Sequence, residues 1–154
     1  MKNKVALALI LSIASMTTFA GQAEDQQVKF RQSAYSFAAW NCSKIKKQVV
    51  EQPETYNKEQ VIAAANAVAA VANSGLGSLY GAGTADATGW KKSRLKPEFF
   101  DKQDEAKKQA VAFVKEANEL AQVAASGDVA AIKAQFGKVG ETCKSCHDNF
   151  RIKD

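Results

Sequence analysis

The chain has 154 residues, 24% of them charged, and a formal charge of +5. That length admits one domain with one core once a short leader is set aside. Removing Lys2 and Lys4 with the leader lowers the charge to +3. No Lys/Arg cluster is interleaved with stacking aromatics, so no nucleic-acid partner is expected.

Residues 1–23 read as a secretory signal. Lys2 and Lys4 form a basic start, Val5 to Ala14 is apolar, and Thr18/Ala20 or Gly21/Ala23 suits a signal peptidase. The apolar run is well short of the ~20 residues a bilayer needs, so no membrane span is expected. Cleavage is expected after Ala20 or Ala23, which leaves 24–154 as an exported, soluble domain.

That domain is rich in alanine and unbranched charged residues and has only two prolines, Pro53 and Pro97, which favours helix. Val28, Tyr35, Cys42 and Val49 recur every seven residues, with Arg31, Ala38 and Ile45 interleaved, and predict a helix from about Asp25 to Val50. Gln52-Pro53 closes it. A second helix starts at Asn57, with Gln60 reaching back in a capping box. Its apolar stripe is Val61, Ala65, Val68 and Ala72, and it ends near Ser74-Gly75. An irregular stretch from Gly75 to about Phe100 holds five of the nine glycines. Gly75-Leu76-Gly77 resembles a phosphate loop only superficially, because no strand precedes it. A third helix from Asp101 carries Ala106, Ala110, Phe113, Ala117, Leu120 and Ala124. Ser126-Gly127-Asp128 breaks and re-caps the chain. The fourth helix carries Val129, Ile132, Phe136, Val139, Cys143, Cys146 and Phe150. The expected fold is all-α, an antiparallel four-helix bundle.

Cys143-Lys144-Ser145-Cys146-His147 has the spacing of c-type haem attachment. Each thiol adds to one haem vinyl group, and residues three and four apart on a helix share a face. Both sulfurs and the His147 imidazole therefore address one side of the ring. A zinc site needs about four ligands, and beyond this pentapeptide only Cys42 is available. A thioredoxin-like dithiol belongs at a helix N-terminus, and a structural disulfide leaves His147 unexplained. The expected cofactor is one covalent haem c, its iron held by His147. Its maturation outside the bacterial cytoplasm agrees with export and points to the periplasm.

Electron-transfer cytochromes c usually pair His with Met. Here His147 is the sole histidine, and Met1 and Met16 are the only methionines, both in the leader. Tyr, Lys, Cys42 or the new N-terminus remains, none a common partner. The iron is expected to be five-coordinate and high-spin, with an open distal face.

The chain resembles the cytochrome c′ family of class II c-type cytochromes. The resemblance spans the mature sequence and is strongest at Lys29-Phe30-Arg31-Gln32-Ser33-Ala34, at Tyr80-Gly81-Ala82-Gly83-Thr84 and from Phe136 to Arg151. It implies a periplasmic four-helix bundle that commonly dimerises through its first two helices. It implies that Arg31 lies by a haem propionate, with Gln32 beside it in the cofactor site, and that Arg151 lies near the proximal histidine. Tyr35 would sit over the distal face, where relatives often carry Leu, and Tyr80 would form the pocket wall. Bland readings stand beside these: Arg31 as a rim arginine, Arg151 as a solvated terminus, and Tyr35 as core filler. Cys42 is either a buried core cysteine or an intermolecular disulfide partner. Phe30, Phe37 and Trp40 are candidates for the dimer contact.

The function expected from this reading is binding of small gases, NO and CO, with scavenging or buffering of NO. The alternative is a periplasmic electron-transfer cytochrome served by an unidentified electron donor. No enzymatic role is expected: weak peroxidase chemistry is disfavoured by the missing distal histidine.

Overall fold

The computed structural model describes residues 5–153, with side-chain surroundings from Gly21 onward. Lys2 and Lys4, and the side chains of the apolar stretch Val5 to Ala14, lie outside the described residues. Four helices carry the fold: α1 (Val5–Lys46), α2 (Lys58–Ala72), α3 (Gln103–Ser126) and α4 (Val129–Phe150). Each packs on its neighbour in sequence, and the short link Gly127-Asp128 turns α4 back along α3.

The apolar stripes meet in tiers. The lowest tier joins Ile45 and Val49 to Val61, Ala64 and Ala65, to Leu120 and Ala124, and to Ile132 and Val139. Above it, Val68, Ala72 and Ala117 bury together with half-buried Cys42 alongside. Full burial of each such aliphatic side chain contributes about 1.5–3 kcal/mol. The α2 stripe is buried at all four of its expected positions. On α3, Ala110 is exposed although it falls in register with the buried stripe.

The helix ends show where side chains set the chain path. Asp128 Oδ1 accepts from the N–H groups of Ala130 (2.9 Å) and Ala131 (3.1 Å) and opens α4. Asn57 Oδ1 accepts from Gln60 N–H at 2.9 Å, as the capping pattern predicts. The return arm differs. Gln60 Oε1 accepts from Gln48 Nε2 (3.0 Å), and Gln48 Oε1 accepts from Asn57 N–H (2.8 Å). The capping box is relayed through a third residue. Gln48 lies in the wide turn Lys47–Glu51 that ends the first helix with a bond from Gln52 N–H to Lys47 O at 2.7 Å. Its buried amide therefore joins the end of α1 to the start of α2.

The segment 75–100 is a strap across the other end of the bundle. Gly75, at φ +77°, turns the chain out of α2. Four α1 side chains then hold the strap. Asp25 Oδ1 accepts from Thr88 N–H (2.7 Å), and Gln27 Oε1 from Gly81 N–H (2.9 Å). Gln32 both donates to Lys91 O (2.8 Å) and accepts from Lys91 N–H (3.1 Å), while Ser33 Oγ accepts from Trp90 Nε1 (2.8 Å). The approach is close: a Cβ at Gly89 would stand 2.6 Å from Lys29 N. The strap's other end pairs with the chain terminus, Lys96 N–H donating to Phe150 O (2.9 Å) and Ile152 N–H to Arg94 O (2.8 Å).

Candidate functional site

Cys143, Cys146 and His147 occupy the last turns of α4, on one face as their spacing requires. Cys143 and His147 are exposed and Cys146 is half-buried. Cys146 lies against the cluster of Ala85, Leu95, Phe99, Ala106 and Phe150 that fills the strap end. Partial desolvation by neighbouring side chains raises both thiols above their ordinary range. Partial desolvation, aided by nearby Arg94 and opposed by Asp148, pushes His147 down and favours the neutral imidazole, the form that ligates a metal.

Tyr35 approaches this face from α1 and Tyr80 from the strap. Tyr80 donates its hydroxyl proton to Tyr35 Oη at 3.2 Å. The Tyr80 ring stacks on Phe99, with centroids 4.8 Å apart, and Phe99 meets Phe150 edge-on at 5.4 Å. Burial raises Tyr35 and Tyr80 alike, so both phenols stay protonated.

Arg31 is buried, and burial lowers its pKa. Its guanidinium donates to Leu79 O (3.0 Å), Thr84 Oγ1 (3.3 Å), Thr84 O (3.4 Å) and Ser93 Oγ (3.0 Å). It also lies 4.4 Å from the Tyr80 ring centroid. Among the described residues every one of these acceptors is neutral, so a buried cation stands without a counter-charge in contact. A flat apolar group bearing carboxylates fits this site. Two thiols and an imidazole share one side, aromatic rings wall it, and a guanidinium supplies the charge.

Gln32 engages the Lys91 backbone with both ends of its amide, which makes it a clasp for the strap. Arg151 follows the end of α4 in extended conformation, its N–H still donating to His147 O at 3.0 Å. Cys42 packs beside Val68, Ala72 and Ala117, and burial raises its thiol to about 11. Phe30, Phe37 and Trp40 are exposed along α1, with Lys44 Nζ 3.6 Å from the Trp40 ring centroid. Sequence reasoning missed Thr84 and Ser93 as holders of Arg31, and Phe99 as the wall behind Tyr80. Thr84 ends a motif that was noticed; Ser93 carried no signal.

Fold and motif together define a haem-binding four-helix bundle. A sequence profile for cytochrome c′ matches residues 26–151. The cytochrome c′ of Rhodocyclus tenuis is 56% identical over 127 residues, covering 82% of this chain and 94% of that protein. Among solved structures, a cytochrome c′ with ligand-controlled dimer dissociation superposes with a TM-score of 0.79 at 48% identity, covering 84% of this chain and 97% of that one. A nitric oxide complex of a cytochrome c′ variant from Alcaligenes xylosoxidans gives 0.73 at 27% identity, covering 85% and 97%. This chain belongs to the cytochrome c′ family, whose members bind haem c.

Proposed function

We propose that this protein is an exported haem c protein that takes up small gases, NO and CO, and buffers NO in the periplasm. Residues 1–23 direct export and are removed. Cys143 and Cys146 form the thioether links, His147 ligates the iron, and Arg31 binds a propionate. When bound, haem c would supply an iron centre able to take up a small ligand.

The observation that carries this reading is the state of the nearest other donors. Tyr35 and Tyr80, the two phenols beside the attachment motif, are hydrogen-bonded to each other at 3.2 Å. Each phenol is thus engaged by the other, which supports an iron that would take no second ligand from the chain. Tyr35 would crowd a bound haem from the α1 side and favour small ligands, while His147 would hold the iron. The nitric oxide complex of the related A. xylosoxidans protein supports the choice of gas.

The optical spectrum of the ferric holoprotein at neutral pH tests the reading. A high-spin spectrum followed by tight NO uptake on reduction is expected. A low-spin six-coordinate spectrum overturns it and favours electron transfer.

A further inference from the structure

Helix geometry leaves the carbonyls of the last four residues of α4, His147 to Phe150, without partners inside the helix. One of them is met locally, where Arg151 N–H donates to His147 O at 3.0 Å. The other three are met by a single residue of the strap. Lys96 donates its backbone N–H to Phe150 O (2.9 Å), and its ammonium to both Asp148 O (3.0 Å) and Asn149 O (3.0 Å). Its backbone is set for this task. Pro97 follows it and confines it to extended geometry, with φ −70° and ψ 138°. Leu95 before it is buried and bridged to Arg151. Among the described residues no carboxylate lies in ion-pair contact with Lys96, so its charge is committed to the negative end of the α4 dipole. The end so capped is the one that carries the haem motif. His147 lies in the turn whose carbonyls Lys96 covers, and Cys143 lies one turn earlier. Helix spacing keeps the two on one face only while that last turn stays wound, and uncapped helix ends fray.

We propose that Lys96 is a positioning residue of the haem site: from the strap it caps α4 and keeps the turn bearing His147 in register with Cys143 and Cys146. The strap then serves the site from two sides. Toward α1 it holds Arg31 through Thr84 and Ser93, and toward α4 it holds the histidine turn through Lys96. The inference rests on the reading of His147 as the iron ligand and adds to it the residue that keeps His147 in place.

The test uses the ferrous holoprotein and two readouts, hydrogen exchange along α4 and the iron–histidine stretching band. Lys96→Met keeps the side-chain bulk and the backbone bond to Phe150 O, and removes the ammonium alone. It is expected to quicken exchange at residues 147–151 roughly tenfold, the worth of a charged hydrogen bond, and to leave 120–139 unchanged. It is also expected to broaden the iron–histidine band and move it to lower frequency. Lys96→Arg is expected to stay near wild type in both readouts. Lys96→Gln, which keeps donors without the charge, is expected to fall between. Leu120→Ala, which loosens the other end of the bundle, is expected to leave the band in place. Quickened exchange with an unmoved band overturns the proposal, because Lys96 then stabilises the helix without directing His147. A band moved equally by Leu120→Ala overturns it too. If Lys96→Met yields no holoprotein, the contrast between Lys96→Gln and Lys96→Arg is read in its place, and two identical variants overturn the proposal. A wild type with no iron–histidine band removes the reading of His147 together with this inference. A wild-type band with a silent Lys96→Met removes only the inference.

Discussion

Around Leu120 the fully buried core is aliphatic, with Tyr56, Phe113 and Phe136 packed at its edge, and Ile45, Val61, Leu120 and Ile132 lose all exposure. Around Cys146 it is built from aromatic rings, a buried guanidinium and a hydrogen-bonded strap, and the Cys143 and His147 side chains stay exposed. The first end holds together mainly by non-directional burial, which tolerates little lost volume, with the Gln48 amide tying α1 to α2 at its edge. The second is held by directional contacts from α1 and α4 that fix where each functional group sits. Stability and site geometry are thus assigned to opposite ends of the same four helices.

Leu120→Ala should break the lower end. Removing a fully buried leucine is expected to cost about 2–5 kcal/mol, read from the denaturant midpoint. A cost under about 1 kcal/mol would deny that end its role. Gly89→Ala attacks the strap, since the new Cβ meets Lys29 backbone at 2.6 Å. We expect a loss of about 1–3 kcal/mol, with amide exchange quickened at residues 81–91 and unchanged at 120–139. Uniform quickening would show that the two ends are not separable. Gly137→Ala sharpens the comparison from the other side. This glycine lies inside α4, and nothing stands within 4 Å of a Cβ there. Helix propensity alone should then add about 0.5–1 kcal/mol, visible as a higher melting temperature.

A pH-dependent effect belongs to Cys42, at the boundary between the two ends. Burial raises its thiol to about 11 from 9.0, so the folded state favours the protonated form. Its contribution is fully present below pH 9 and is lost as the pH rises toward 11. The stability difference between wild type and Cys42→Ala should shift against the wild type across that window. A difference that is flat with pH would place Cys42 in solvent contact.

The four helices were legible because each depends on near neighbours in the chain: stripes at helical spacing, and Asn57 and Asp128 at the starts. The return arm of the α2 cap was not, because it runs through Gln48, nine residues before Asn57. Ala110 kept the period but not the burial, since a small residue in register buries only where a facing helix approaches. The site divides in the same way. Cys143, Cys146 and His147 share one turn of one helix, so their spacing alone sets their common face. The holders of Arg31 are separated from it by 48 to 62 residues, and no local pattern names a threonine or serine for that task.

The sequence by itself determined the helices, the order in which they pack and the constellation on α4, because all of these follow from periodicity and helix geometry. Tertiary structure alone decided that Tyr80 reaches Tyr35, that Arg31 stacks on Tyr80 and that Gln32 clasps the strap. Those contacts join segments that share no period, and only closure of the strap over the bundle brings them within hydrogen-bond range.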